Sequence, residues 1–284
     1  MNRNFQAEVT KRDPGAWRIF VRGSNDIGSA VALHLFQAGY RVIIHDIPLP
    51  TVTRRKMAFA DAIFEGSVHW AGVQAIRVDE FSHLEDMLTS SRVLPVLVAD
   101  FDHLLNAYQP QVLIDARMRK HQQPETQRSL AALTIGLGPN FIAGENVDIA
   151  IETSWGDALG HFIFSGPTRP LEGEPRALGG HARDRYVYAP QAGLFRSAAN
   201  IGDDVQQGQV IAWVDSIPLQ APLTGRLRGL THTGVPVTKG TKVIEVDPRG
   251  ENAEISGIAE RPKRIAEGVL RAISVWTKNE LPKG

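Results

Sequence analysis

Six residues, Gly23-Ser24-Asn25-Asp26-Ile27-Gly28, stand where an apolar run ends and a helical pattern begins. A Gly-x-Gly-x-x-Gly turn at such a place binds a pyrophosphate. Its first glycine makes the turn, the middle one lets backbone N–H groups reach the phosphate, and the third packs helix on strand. This chain keeps Gly23 and Gly28 but has Asn25 in the middle, whose side chain takes up room that a phosphate needs. Asp46 ends the next apolar run, 23 residues after Gly23, where an acidic group would hold a ribose 2′-hydroxyl. Arg54-Arg55-Lys56 follows and offers bidentate contacts to phosphates or an anionic substrate. Asp115-Ala116-Arg117-Met118-Arg119-Lys120 begins at the end of a further apolar run. The residues expected to frame an anion crevice are therefore Gly23, Asn25, Asp26, Gly28, Asp46, Arg54 and Asp115. A helix starting near Asp26 would turn its free N–H groups toward that crevice. A scaffold that holds no dinucleotide, with Asp46 capping a loop and the arginines facing water, fits the same residues.

Other chemistries find little support. The nine histidines show no His-x-x-x-His, no Glu-x-x-His and no histidine-rich tract, so no metal site is expected. Cysteine is absent, which excludes disulfides, thiolate ligands and a cysteine nucleophile. Neither Ser165 nor Ser216 lies in a nucleophile-elbow motif.

The elements that must position these groups alternate. Trp17–Arg22 reads as a strand, Ile27–Ala38 as a helix closed by Gly39, and Arg41–His45 as a second strand, together one right-handed βαβ unit. Thr53–Phe64 reads as helical, Val68–Val78 as a hairpin broken at Ala71-Gly72, and Phe81–Leu88 as a short amphipathic helix. Val93–Val98 and Gln111–Asp115 add strands, giving the pattern of an open parallel α/β sheet. Ile265, Val269, Ile273 and Trp276 mark a terminal helix packed on the body. The fold expected is α/β: a Rossmann-like parallel sheet over residues 15–150, then a mostly β domain over 151–284 closed by that helix. The formal charge of zero at pH 7 gives no reason to expect a nucleic-acid partner. No stretch of about 20 apolar residues is present, so no membrane span is expected and a cytoplasmic location fits.

The β-rich domain contains a unit that occurs twice. Ala189-Pro190, Gly193, Arg196, Gly202, Val205, Gly208, Ile211 and Val214-Asp215 recur 32 residues later as Ala221-Pro222, Gly225, Arg228, Gly234, Val237, Gly240, Val243 and Val246-Asp247. Two copies are too few for a solenoid, so they must bury their apolar faces against each other. The unit, at about residues 186–250, resembles the barrel-sandwich hybrid of biotinyl and lipoyl carrier domains, whose modified lysine sits on the hairpin between the halves. Here that connector is Ser216-Ile217-Pro218-Leu219-Gln220, and the lysines are Lys239 and Lys242, inside the second copy. A carrier fold without carrier chemistry is expected.

A longer series of segments runs in order over roughly residues 17 to 275. It comprises Val21-Arg22-Gly23 with Asp26, Pro50-Thr51, Arg54-Arg55, Ala58-Phe59, Gly136-Leu137-Gly138-Pro139-x-Phe141-x-Ala143-Gly144, Glu152-Thr153, Leu159-Gly160, Ala221-Pro222 with Leu227-Arg228-Gly229-Leu230, and Asp247-Pro248-Arg249-Gly250. As a set it resembles the accessory proteins of selenium-dependent molybdenum hydroxylase systems. The resemblance implies a role in maturing a molybdenum hydroxylase client, with an NAD-type nucleotide or a molybdopterin-type anion in the crevice by Gly23. The chain departs from that pattern at Asn25, at Trp155-Gly156-Asp157 and at Lys120-His121-Gln122. Two other readings stand beside it: an NAD(P)-dependent oxidoreductase, and a non-catalytic scaffold with a vestigial nucleotide site.

Overall fold

Ile19, Phe20 and Val21 are all buried, so Arg18–Arg22 (β1) needs cover on both faces. In the computed structural model, which describes residues 16–278 apart from 91, 120–121 and 172–174, β1 is the middle strand of a nine-stranded sheet. Residues 1–14 of the polar lead and 120–121 of the Lys-His-Gln departure lie outside the described residues. From β1 the chain runs through Asp26–Gln37 (α1), Arg41–His45 (β2), Asp61–Glu65 (α2), Ser67–Trp70 (β3), Val73–Val78 (β4), Leu84–Ser90 (α3), Leu94–Leu97 (β5), Phe101–Tyr108 (α4) and Val112–Asp115 (β6). Leu133–Leu137 (β7), Ile142–Ala143 (β8), Ile149–Ile151 (β9), Phe162–Ile163 (β10) and Gly166–Pro167 (β11) follow. The sheet order is β10-β9-β7-β6-β1-β2-β5-β4-β3, with β8 and β11 paired separately. β1 is parallel to β2 on one side and to β6 on the other, so the chain progresses outward in both directions from it. Such a switch point leaves a crevice at the carboxyl ends of the strands.

The sheet is mixed, not parallel throughout. β3 runs antiparallel to β4, turning at Ala71 and Gly72, both at positive φ, and β10 runs antiparallel to β9. Helices α1 and Glu260–Thr277 (α5) cover one face and α3 and α4 the other. The buried stripe Ile265, Val269, Ile273 and Trp276 seats α5 on the body as its spacing predicts. Close approach at its middle depends on Gly268, where a Cβ would stand 2.1 Å from the Gly160 carbonyl oxygen.

The repeat forms Tyr186–Tyr188 (β12), Gly193–Ser197 (β13), Asp204–Val205 (β14), Val210–Val214 (β15), Ile217–Gln220 (β16), Gly225–Leu230 (β17), Pro236–Val237 (β18) and Lys242–Asp247 (β19). They make two four-stranded sheets, β12-β19-β17-β14 and β16-β15-β13-β18. Adding 32 to the first copy converts β12–β15 into β16–β19 and exchanges the two sheets. The turn bonds repeat as well. Gly202 N–H donates to Leu227 O and Gly234 N–H to Phe195 O, both at 2.8 Å; Gly208 donates to Ala221 O at 2.9 Å and Gly240 to Ala189 O at 2.8 Å. Val205, Val237, Ile211 and Val243 share one core with Phe195 and Leu227.

The segment expected to be helical over 53–64 is instead a 3₁₀ turn, Arg55–Met57, followed by the short α2. Its cations are drawn sideways onto the β module. Arg55 Nε donates to Leu230 O at 2.9 Å and Lys56 Nζ to Ile201 O at 2.5 Å, while Leu230 N–H donates to Thr53 O at 2.8 Å. Tertiary partners of this kind override a local helical preference.

Candidate functional site

The turn after β1 is closed by its own side chains. Asn25 caps α1: its Oδ1 accepts from the N–H of Ile27 at 3.0 Å and of Gly28 at 3.1 Å, and its Nδ2 donates to Ala116 O at 2.7 Å. It thereby satisfies the free helix N–H groups that a phosphate would have used. Asp46 Oδ2 accepts from Ser24 N–H and Ser24 Oγ, both at 2.7 Å, and so pins the same turn from β2. Gly23 is at φ +109°, and a Cβ there would meet Ala116 O at 2.9 Å. A Cβ on Gly28 would stand 2.0 Å from Gly23 O. Gly23, Asn25, Gly28 and Asp46 are thus brought together as one tightly packed strand–helix turn.

Asp26 and Arg54 point elsewhere, into the junction between the large sheet and the β module. Arg54 Nη1 donates to Asp26 Oδ2 at 2.9 Å, and its Nε and Nη2 grip Glu245 at 2.9 and 3.0 Å. Glu245 projects from β19 and is fully buried. Arg185 also pairs with it, Arg228 Nη1 lies 3.4 Å and Lys242 Nζ 3.2 Å away. Arg261, at the start of α5, anchors its Nε on Thr153 O at 2.7 Å and faces Asp26 and Arg54. Tyr186 lies under the Lys242 ammonium, 4.5 Å from its ring centroid, and its hydroxyl accepts from Arg185. Solvent reaches part of the junction: Lys242 exposes 31% of its side chain and Asp26 20%.

Charge is unevenly shared there. Burial alone would raise the Glu245 carboxyl, yet Arg54 and Lys242 hold it well below the usual range. Asp26 is held down against burial in the same way, by Arg54 and then Lys242. Burial pushes Lys242, Arg228 and Arg261 down, and Arg54 beside them adds to the push. Asp115, the remaining expected residue, lies on the other side of the turn. It binds Arg117 and accepts from Gln127 Nε2, and both contacts hold its carboxyl below the usual range despite its burial.

Residue type and spacing singled out Asp26, Arg54 and Asp115 but missed Glu245, Lys242, Arg261 and Arg185. One signal was present: a glutamate inside Val243-Ile244-Glu245-Val246, where an apolar strand holds a charge only if that charge is paired. Among the described residues no group of three or more histidine, aspartate or glutamate side chains could hold a metal ion. None of the described helices is long and apolar enough to cross a membrane.

Fold and site together define a mixed α/β protein that carries a two-fold β module locked on by a buried charge cluster. No family model matches the chain. It is 40% identical over 255 residues to the uncharacterized protein YqeB of Escherichia coli (strain K12), an alignment covering 90% of this chain and 47% of that relative. The chain thus spans about half the length of that curated relative. Among solved structures, a succinylglutamate desuccinylase/aspartoacylase from Rhodobacter sphaeroides matches 22% of each chain at 30% identity, with a TM-score of 0.20. The product-bound ectoine utilization protein EutE (DoeB) from Ruegeria pomeroyi covers 81% of this chain and 85% of its own at 11% identity, with a TM-score of 0.23. Scores at that level carry no chemistry from one protein to another. These proteins, and an aspartoacylase family protein from Mesorhizobium loti that also matches, do not point to a molybdenum hydroxylase accessory family. The expected family membership is corrected accordingly. The maturation role, the oxidoreductase alternative and the nucleotide- or molybdopterin-binding readings, including the vestigial nucleotide site, fall with it.

Proposed function

We propose that the protein binds a small anion in the junction between the nine-stranded sheet and the β module. One observation carries this reading: five basic side chains, Arg54, Arg185, Arg228, Lys242 and Arg261, gather around Glu245 and Asp26, with Asp247 acting on Arg228 and Glu152 on Arg261, so the cations named outnumber the carboxylates named. Cations crowded in a partly buried site repel one another and lose hydration, so an added anion is favoured on both counts. Lys242, whose side chain is 31% exposed, and Arg261 at the start of α5 supply the contacts. Titrating inorganic phosphate, sulfate and succinate into the full chain by calorimetry tests the reading. At least one of the three should bind, more weakly as salt rises. Lys242→Met and Arg261→Met should each weaken it about ten-fold, as loss of one charge-assisted hydrogen bond does. Binding that neither substitution changes, or no binding at all, sinks the junction site.

We further propose that the module formed by β12–β19 is a barrel-sandwich hybrid that carries no biotin or lipoate. The exchange of its two sheets under the 32-residue shift supports the hybrid architecture. Two positions support the lack of a modification. The connector Ser216–Gln220 lacks lysine, and Lys242 is held at Glu245 instead of being offered at a hairpin tip. Intact mass spectrometry of the protein purified from its own host should give the unmodified mass. A biotinyl or lipoyl addition mapped to Lys239 or Lys242 would show this to be wrong.

A further inference from the structure

At the carboxyl ends of β1 and β6, three guanidinium groups converge on one surface carboxylate. Arg22 Nη1 donates to Glu125 Oε1 at 2.9 Å and Arg117 Nη2 to the same oxygen at 2.6 Å; Arg119 Nη2 reaches both oxygens, at 3.0 and 2.7 Å. The basic side of this contact is built. Arg22 ends a strand buried on both faces, exposes 11% of its side chain and lies 3.8 Å over the ring of Phe101. Its Nε is buried and has no hydrogen-bond partner among the described residues. Arg117 is gripped by Asp115, which Gln127 holds in turn. The acidic side is not built in this way. Glu125 reaches in from the stretch between β6 and β7, which has no described helix or strand, and exposes 46% of its side chain.

We infer that Arg22, Arg117 and Arg119 form a binding site for the carboxylate head of a small organic acid, and that Glu125 occupies it as an internal substitute. Planar guanidinium forks match the two oxygens of a carboxylate. The Asp115 carboxylate behind Arg117 offsets one of the three positive charges, which lowers what a second negative charge on the ligand would gain. A concavity of about 10 Å³, room for one water-sized group, lies alongside, lined by Asp115, Arg119, Pro124, Pro139 and Phe141. Arg22 is pushed down by burial and by Arg117 beside it, and the Glu125 carboxyl is held down to about 2, chiefly by its bond to Arg117. Any incoming acid must displace a tethered competitor, whose effective concentration is on the order of millimolar.

The site is separate from the junction, and Arg119 provides a readout that does not depend on what the junction binds. Sodium propionate and inorganic phosphate are titrated into the wild-type chain, Glu125→Gln, Glu125→Ala and the double variant Glu125→Gln/Arg119→Gln. Both Glu125 variants should bind propionate about ten-fold more tightly than wild type, a change of about 1.4 kcal/mol. The double variant should lose that gain, and phosphate should show none. Equal propionate affinity in wild type and both single variants would overturn the site. So would a gain that survives loss of Arg119, or a gain for phosphate as large as that for propionate.

Discussion

Replacing Glu245 with glutamine is expected to destabilise the protein by about 3–5 kcal/mol, the cost of removing one partner from a buried ion cluster. Glutamine keeps the volume and part of the hydrogen bonding but removes the charge on which Arg54, Arg185, Arg228 and Lys242 depend. Asp26 and the Asp247 carboxylate near Arg228 cannot neutralise four cations, and the burial of Arg185 and Arg228 leaves little water to do so. Urea denaturation of the two proteins side by side measures the difference, and a loss under about 1 kcal/mol would show that the cluster does not anchor the module.

The same substitution should change how stability depends on pH. In the wild type Glu245 and Asp26 titrate below their ordinary values of 4.5 and 3.8. The unfolded chain therefore takes up protons first as pH falls through and below that range, and stability drops there. Without Glu245, part of that acid loss disappears. Lys242 adds a dependence of the same sign at higher pH, because its value in the fold is below 10.5 and the unfolded chain holds the proton more tightly. Stability consequently rises with pH up to that value, and loss of the Glu245 charge widens the window. Glu245→Gln should recover part of its deficit as pH rises toward 10.5, and a deficit constant from pH 4 to 10 would contradict the linkage.

Gly28→Ala is expected to cost about 3 kcal/mol or more, although alanine is the better helix former. In an open helix the change would stabilise by about 1 kcal/mol. Here the added methyl would stand 2.0 Å from Gly23 O and 3.2 Å from the Ala116 Cβ, so α1 must back away from the strand–helix turn. That movement opens the packing of Ile27, Val31 and Leu35 on the sheet and disturbs the Asn25 cap. A melting temperature equal to or above that of wild type would mean that the turn yields, and that the approach of α1 to β1 is not set by Gly28.

Local pattern carried much of this architecture. The alternation from β1 through β2, the hairpin at Ala71-Gly72 and the stripe on α5 all rest on neighbours within a few residues, and each forms where its spacing places it. The 32-residue repeat carried still more, because two chemically equal segments that must hide the same apolar face have little choice but to face each other. Nothing local announced β7 as a strand of the large sheet, or α4, whose buried contact is a single leucine, Leu104. The stretch around Arg54 failed as a helix because its three cations found partners 145 to 191 residues away.

The candidate site divides along the same line. Asp26, Arg54 and Asp115 stand out because strand ends and helix starts are visible in the chain, and charged groups at those points face a crevice in any open α/β sheet. That Asp26 and Arg54 meet Glu245 and Lys242, while Asp115 meets Arg117 and the clamp on Glu125, depends on how the β module and the stretch between β6 and β7 come back against the sheet. An ion pair has no sequence period. Its partners are chosen by which surfaces become buried together, and burial is a property of the packed chain.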